Sequence, residues 1–554
     1  MMKLKNNIMI GAVAAICLCG CGDFLEPSSP SEFVPKDANS LNELLLGEAY
    51  PRNDISRLNI FLNLLDDDVT AAEYQVPQSG FEPDQFLAVY SWQPDMFARM
   101  EAIQLTATNM YETHYQLILG ANAILDYVDE VVDEPDNINY VMAQAYALRG
   151  FMYFKLVNIF GEPVTSNPDA LGVPLKLNSG IELEEGALAR RTVQEVYNQV
   201  LLDLHEAEKL YEALPADKQF AQDYRTNLPM VQLLLSRVYL YLENWEQAAT
   251  YADKVMKNKT FQLLDLNTIS THSENNGVYA RYYPTYHSYA ASPEVIWLYG
   301  DPGDMGGWTS TYLGSQNPEN NGAYMHAYFQ ASDELMNTFD ETDLRKERYI
   351  IYSSRGYGRE GRGSEDDARV PQAYGKLSNS GYPIYRPASD ASGRAFGRSL
   401  RLSEAYLNYA EAKVMLYKAG TDGNGATQAL AALNDLRLKR FAAEDYVAFS
   451  TTDADELIQF VKDERRRELC FEDHRWYDLR RWGMKEIKHV WYDDDNTMST
   501  YTLTEGDKGF TVPIPDDAME LNAALIQNEL APKRTPVIEE KPTEEEDTED
   551  EYNK

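Results

Sequence analysis

Glu464-Arg465-Arg466-Arg467-Glu468-Leu469-Cys470-Phe471-Glu472-Asp473-His474-Arg475-Trp476-Tyr477-Asp478-Leu479-Arg480-Arg481-Trp482 is the densest run of charged and aromatic side chains in a chain of 554 residues. Leu469, Trp476 and Leu479 fall on one helical face, which must be buried. Arg475–Asp478 and Asp478–Arg481 have the i,i+3 spacing of ion pairs within a helix. Two chemistries fit the run. Adjacent Asp473 and His474 offer a general acid–base pair. Alternatively, the arginines and carboxylates form a partly buried network fixing two helices, with guanidinium groups gripping carboxylates two-pronged. The second reading makes Glu464, Arg467, Glu468, Arg475, Trp476 and Asp478 structural, and it is the one favoured here.

Outward from this run, helices dominate. Residues 97–131 carry apolar side chains at spacings of three and four, from Ile103 to Val128, and read as one long helix. The break Asp133-Glu134-Pro135-Asp136 ends it. A second helix from about Ile138 to Phe160 stops at Gly161 and Pro163. Thr192-Val193-Gln194-Glu195 is a capping box opening the next helix. Leu228 to Leu242 and Trp245 to Met256 follow. The phrase Tyr239-Leu240-Tyr241-Leu242-Glu243-Asn244-Trp245 with Ala248 and Tyr251 resembles tetratricopeptide repeats. The expected fold is mostly α, with helical pairs at about 97–160, 192–258, 403–439 and 455–482. A long irregular insert with short strands, about 260–400, splits them. It is rich in Gly, Ser, Asn and Tyr, and so much chain with little periodicity is usually functional.

The N-terminus has its own grammar. Lys3 and Lys5 precede an apolar run from Ile8 to Leu18, too short to span a bilayer, and Leu18-Cys19-Gly20-Cys21 closes it. That is a secretory signal over residues 1–20 with Cys21 as a lipidation site, resembling the lipobox of bacterial lipoproteins. Residues 21–40, with Pro27, Pro30 and Pro35, read as a lipidated tether, residues 41–532 as the body, and residues 533–554 as a disordered acidic tail. Of Cys17, Cys19, Cys21 and Cys470, only Cys470 is then left in the body. It sits in an apolar context and reads as a small buried residue. The net charge of −38 argues against nucleic acid or an anionic lipid surface as partner.

Other motifs are weak. Gly356-Tyr357-Gly358-Arg359-Glu360-Gly361 matches the dinucleotide fingerprint literally, but no helix follows to hold a pyrophosphate. The seven histidines are scattered, and no zinc or serine-hydrolase signature occurs. Asp66-Asp67-Asp68 and Asp493-Asp494-Asp495-Asn496 lack EF-hand spacing and read as solvated acidic turns. No metal, cofactor or catalytic residue is expected.

As a set, these stretches resemble the SusD/RagB family of Bacteroidota outer-membrane nutrient-binding lipoproteins. Residues 464–482 look like its C-terminal signature, and Cys21-Gly22-Asp23-Phe24-Leu25 like its mature start. Ala147 to Val157 with Phe160-Gly161-Glu162-Pro163 is similar to its second-helix motif, in which Arg149 is expected to be structural. Arg401 to Ala412 and Phe510-Thr511-Val512-Pro513-Ile514-Pro515, followed by Gln527-Asn528, resemble two more. Glu529-Leu530 stands where the family usually has Pro-Gly. The resemblance implies a surface-exposed, non-enzymatic glycan-binding lid on a SusC-like TonB-dependent transporter, held at the outer membrane through Cys21. Some members of the family take peptides instead. A tetratricopeptide-like protein scaffold and a glycan-cleaving enzyme are the rivals; the latter needs two opposed carboxylates, and the sequence singles out no pair.

A sugar presents flat C–H faces to aromatic rings, with polar side chains on its hydroxyls. Trp308, in Gly306-Gly307-Trp308-Thr309-Ser310, places a large ring on a turn where burial is not the default. Tyr279, Tyr283, Tyr286 and Tyr312 lie nearby in sequence, and Trp92 beside Gln93-Pro94-Asp95 is a further candidate. Trp297, within an apolar run, reads as core.

Overall fold

The computed structural model describes residues 35–52, 58, 61–71, 86–102, 110–181, 186, 188–269, 272–275, 278–281, 289, 292–300, 310–313, 324–327, 329–354, 369–372, 396–493 and 497–540. The expected signal peptide, Cys21 and most of the tether lie outside these residues.

Helices carry the body, short helical turns aside. They are α1 (Ala38–Glu48), α2 (Met96–Ala102), α3 (Met110–Tyr127), α4 (Pro135–Phe160), α5 (Val193–Glu212), α6 (Leu228–Tyr241), α7 (Trp245–Met256), α8 (Leu402–Lys418), α9 (Gly425–Arg437), α10 (Ala454–Leu469) and α11 (Arg475–Arg481). Local chemistry explains their ends. The acidic break does end the helix before it, and Pro135 is the first residue of α4, where its fixed φ is suited and its missing N–H costs nothing. The Thr192 capping box forms: Thr192 Oγ1 accepts from Glu195 N at 3.1 Å, and Glu195 Oε2 accepts from Thr192 N at 2.8 Å. The helix expected to run unbroken over 97–131 is described in two pieces, α2 and α3, and residues 103–109 between them are outside the described set.

Each helix packs on the next, α3 on α4, α4 on α5, α5 on α6, α6 on α7 and α8 on α9. The chain leaves this stack after α7 and returns to it at α8, yet α7 packs directly against α8. The insert therefore interrupts the sequence without interrupting the stack. Helix α4 is the axis: from Ala147 to Phe160 every residue is buried. At its middle, Arg149 Nη2 meets Asp203 of α5 at 2.6 Å, and Nη1 donates to Asn122 of α3 at 2.9 Å, pinning three helices at one point. One continuous core holds the N-terminal helices, Trp297 and Trp476, and a smaller cluster of Leu407, Ala429, Leu433, Val461 and Leu469 joins α8, α9 and α10.

The strands are short and antiparallel. In the body β1 (Val69–Ala71) pairs with β9 (Phe329–Ala331), and β2 (Leu171–Pro174) with β3 (Arg190–Thr192). In the insert β4 (His272–Asn275) pairs with β5 (Val278–Arg281), β7 (Ser310–Leu313) with β8 (Tyr324–Ala327), and β10 (Ile351–Ser354) with β11 (Arg369–Gln372). Residues 356–361 fall in sequence between β10 and its antiparallel partner β11 and lie outside the described residues. Strand β6 (Val295–Tyr299) pairs with β12 (Arg398–Arg401), and β13 (Ile487–Tyr492), β14 (Thr497–Leu503) and β15 (Val537–Glu540) form a three-stranded sheet.

That last strand corrects the expectation of a disordered tail from residue 533. Val537 pairs with Thr500 and Glu540 with Thr497, while Arg534 is drawn in by Asp507 at 2.6 Å. Backbone pairing and one ion pair outweigh the local acidity through Glu540; residues 541–554 lie outside the described set.

Helices α1 and α3 meet so closely that a Cβ on Gly120 would lie 2.3 Å from the backbone oxygen of Glu48. Gly120→Ala is therefore expected to destabilise the protein by about 1–3 kcal/mol through overpacking. An unchanged melting temperature by calorimetry would show that α1 does not dock there.

Candidate ligand-binding site

The insert is held to the helical stack by charge. Glu294 precedes β6, Arg401 ends β12, Arg440 follows α9, and Glu464 and Glu468 project from α10; all are buried. Glu468 Oε2 accepts from Arg440 Nε at 2.9 Å and from Arg345 Nη1 at 3.2 Å. Its Oε1 accepts from Arg401 at 3.1 Å, Arg440 at 3.0 Å and the Tyr349 hydroxyl at 3.1 Å. Arg345 also meets Glu464 and Asp343, both at 2.7 Å, and Glu294 bridges Arg401 and Arg440 at 2.8 and 2.5 Å. Arg401 closes two-pronged on Glu472 at 2.8 and 3.0 Å. Buried charges persist only when paired and hydrogen-bonded like this.

The pKa directions follow. Burial opposes ionisation of Glu464, but the cations of Arg345, Arg467 and Arg437 outweigh it and hold the carboxyl at about 2. Burial likewise works against the charge of Arg345, Arg401 and Arg440, yet their carboxylates raise all three well above the ordinary value.

The connection from α10 to α11 is strained for the sake of these pairs. Phe471 and Asp473 both adopt left-handed backbone, at φ of 61° and 63°. Glu472 between them reaches Arg401, and Asp473 reaches Arg398 at 2.9 Å, so the turn clamps both ends of β12. The acid–base alternative for Asp473 and His474 fails here. Asp473 is spent on Arg398, and His474, buried and beside Arg465, is pushed well below the ordinary imidazole value by burial and by Arg237 and Arg465. Trp476 stacks on Phe510 with centroids 5.4 Å apart.

Two expectations for this region change. Arg475 does not pair with Asp478. It reaches Asp67 at 2.6 Å, while Asp478 takes Arg465 at 2.7 Å and Arg481 at 2.8 Å. Asp66, Asp67 and Asp68 are accordingly not a solvated turn: Asp66 and Asp68 are each 1% exposed, and Arg466 meets Asp68 at 2.7 Å. Of the second acidic run, Asp494 to Asn496 lie outside the described residues.

Above the network, Gly397 N donates to Gly300 O at 3.0 Å, extending the β6–β12 pairing, and between these two points the chain comes back to the body at β9 and through Leu335 to Ile350, which lie in the main core. Between these points lie β7 and β8, carrying Tyr312 in register with Met325, and just before them β4 and β5, carrying Tyr279 in register with Glu274. Trp308, Tyr283 and Tyr286 lie outside the described residues. Trp297 is core as read, its indole N–H donating to Tyr224 O at 2.9 Å. Trp92 is not in the insert and is 1% exposed. Its indole N–H donates to Leu65 O at 2.9 Å and its ring stacks on His489 at 4.1 Å, leaving no free face for a sugar. Sequence reasoning passed over Glu294, Arg345, Arg398 and Arg440. The one local signal was a carboxylate set against the apolar run of β6, in Pro293-Glu294-Val295.

The SusD family model matches residues 254–530, and a second, described as starch-binding associating with outer membrane, matches residues 23–240. The chain belongs to the SusD family. SusD-like protein P25 of Formosa agariphila is 21% identical over 581 residues, covering 95% of this chain and 99% of the relative. SusD-like protein P38 of the same organism is 24% identical over 415 residues, covering 67% and 71%. A SusD superfamily protein of Bacteroides vulgatus superposes with a TM-score of 0.63 at 20% identity, over 90% of this chain and 100% of that one. A SusD-like carbohydrate binding protein from the same species gives 0.61 at 20% identity, over 89% and 98%. The SusD fold is thus a mostly helical stack with an insert of short strand pairs, and in this member the insert rests on the Glu468 network.

Glu468→Ala removes the shared acceptor and leaves arginines buried without it, so it is expected to cost about 3–5 kcal/mol in urea unfolding. A loss under 1 kcal/mol on the same scale would mean the network is not what holds the insert. Glu464 adds a pH signature. Its folded value of about 2 lies below the ordinary 4.5, so its contribution is present above 4.5 and disappears as pH falls toward 2. Glu464→Gln should flatten the acid limb of the stability profile.

Proposed function

We propose that the chain captures a polysaccharide or oligosaccharide at the cell surface and delivers it to a SusC-like TonB-dependent transporter of the outer membrane. The observation that carries this reading is family membership together with an insert tied through Glu294, Arg345 and Arg401 to a charged, buried base. Trp308, Tyr283, Tyr286, Tyr312 and Tyr279 all belong to that insert, and we assign them to the aromatic platform. Their ring faces would stack on sugar C–H faces, and neighbouring amides such as Asn275, Asn276 and Asn317 would take hydroxyls. The relatives point the same way: one is a SusD-like carbohydrate binding protein, and one family is described as starch-binding.

Capture needs no bond-breaking group, and the one adjacent Asp–His pair is locked into packing. The role is therefore binding rather than catalysis. The helical pairs would face the transporter, and the lipid on Cys21, cut free of residues 1–20, would keep the lid at its mouth. One acyl chain holds only marginally, so more than one is expected on this residue.

Affinity electrophoresis through a panel of glycans tests the platform. Trp308→Ala should lose retardation on whichever glycan slows the wild type, and unchanged retardation on every bound glycan would remove Trp308 from the site. Release of sugar fragments by purified wild type would contradict the binding-only role. Cys21→Ala should bind in solution yet fail to support uptake by cells; normal uptake would show that the anchor is dispensable.

A further inference from the structure

His489 lies on β13, 2% exposed, where the C-terminal sheet meets the acidic turn Asp66-Asp67-Asp68. Its Nδ1 is 2.7 Å from the carbonyl oxygen of Tyr90, and its Nε2 is 2.9 Å from the carbonyl oxygen of Asp66. A carbonyl oxygen can only accept. A neutral imidazole has one N–H and one lone pair, whereas the imidazolium has two N–H groups. Only the protonated ring donates to both carbonyls. A neutral ring would set its lone pair against a carbonyl lone pair on one side or the other.

The surroundings suit a cation. Tyr90 stacks on one face at 4.1 Å and 11°, and Trp92 on the ring at 4.1 Å and 24°, so aromatic π-faces line it. Trp92 holds this pose on left-handed backbone, at a φ of 50°. Charge counting agrees. The turn brings three carboxylates, and Arg466 and Arg475 supply two cations against Asp67 and Asp68. A charged His489 restores the balance. The other charged and titratable groups facing it include Tyr501, buried directly opposite it on β14, the Tyr90 hydroxyl, which burial keeps neutral and which donates to Val490 O, and Arg534, 6.0 Å from the centre of the Trp92 ring.

Burial pulls the other way. It draws the imidazole down to about 4 and, with Asp67 and Asp68, pushes Asp66 well up, which would leave the spare proton on Asp66. The two carbonyl contacts decide against that, because a proton on the Asp66 carboxyl leaves one of them repulsive. We propose that His489 is a resident imidazolium that latches the acidic turn of the N-terminal region to the C-terminal sheet. Its contribution to stability is full at low pH and is lost as pH rises through the pKa of the folded ring.

Nitrogen-15 NMR of the full body labelled at histidine tests this, with the His489 signals assigned by their loss in His489→Gln. At about one unit above the ordinary value of ~6.5, both ring nitrogens should carry a proton, each with a one-bond coupling to hydrogen. Asp66→Asn, with the acid removed, should leave His489 doubly protonated but lower the pH at which it titrates. One unprotonated ring nitrogen at that pH in the wild type would overturn the proposal. If His489→Gln does not fold, assignment by His489→Asn or by the signals remaining in single replacements of the other six histidines keeps the test decisive.

Discussion

A carboxylate with no access to water is the constraint on which the rest of this structure depends. Glu468 is fully buried and shared among Arg345, Arg401 and Arg440, which come from three separate regions of the chain. Moving such a group out of water is costly, and only complete pairing recovers the loss. The geometry therefore holds β6, β12, α9 and α10 where Arg345, Arg401 and Arg440 all reach Glu468. A hydrophobic base could slide; a set of two-pronged guanidinium–carboxylate contacts has directions. Ionic packing here acts as register rather than as glue.

That register has a use. In the described residues the strands between β4 and β11 pair two by two, and isolated hairpins are marginal in water. The insert's rigidity must be borrowed. The helical stack continues across the insertion through α7 and α8, and the network ties Glu294, Arg345 and Arg401 of the insert to it. The strained turn at Phe471 and Asp473 is consistent with this: left-handed backbone at non-glycine residues is tolerated where the two carboxylates it presents are needed in place.

Much of this was legible in the sequence, and the misses share one cause. The capping box at Thr192, the helical pairs, the core role of Trp297 and the family signature all rest on local patterns or on a resemblance, and local patterns survive folding. Arg475 and Asp478 were paired by helical spacing, but Asp67, some four hundred residues away, is the stronger partner. Asp66-Asp67-Asp68 looked solvated because its arginines are equally distant in sequence. Trp92, beside Gln93 and Pro94, looked like a loop ring because nothing nearby announces His489. The acidity of the tail hid Val537 and Ile538, whose backbone completes a sheet. Spacing rules see neighbours along the chain, and buried ions choose neighbours in space. The proposed ligand platform is legible only as a composition, aromatic rings on an irregular insert.

The central claim is that a rigid helical stack presents a glycan-binding insert, with the stack itself taking no part in contact. Hydrogen–deuterium exchange on the unlipidated protein, with and without the glycan that binds tightest in a panel, tests it most directly. The account predicts new protection confined to segments carrying Tyr279 to Tyr286 and Trp308 to Tyr312, with α3 to α9 unchanged. Protection spread along those helices, or binding of no glycan at all, would contradict it.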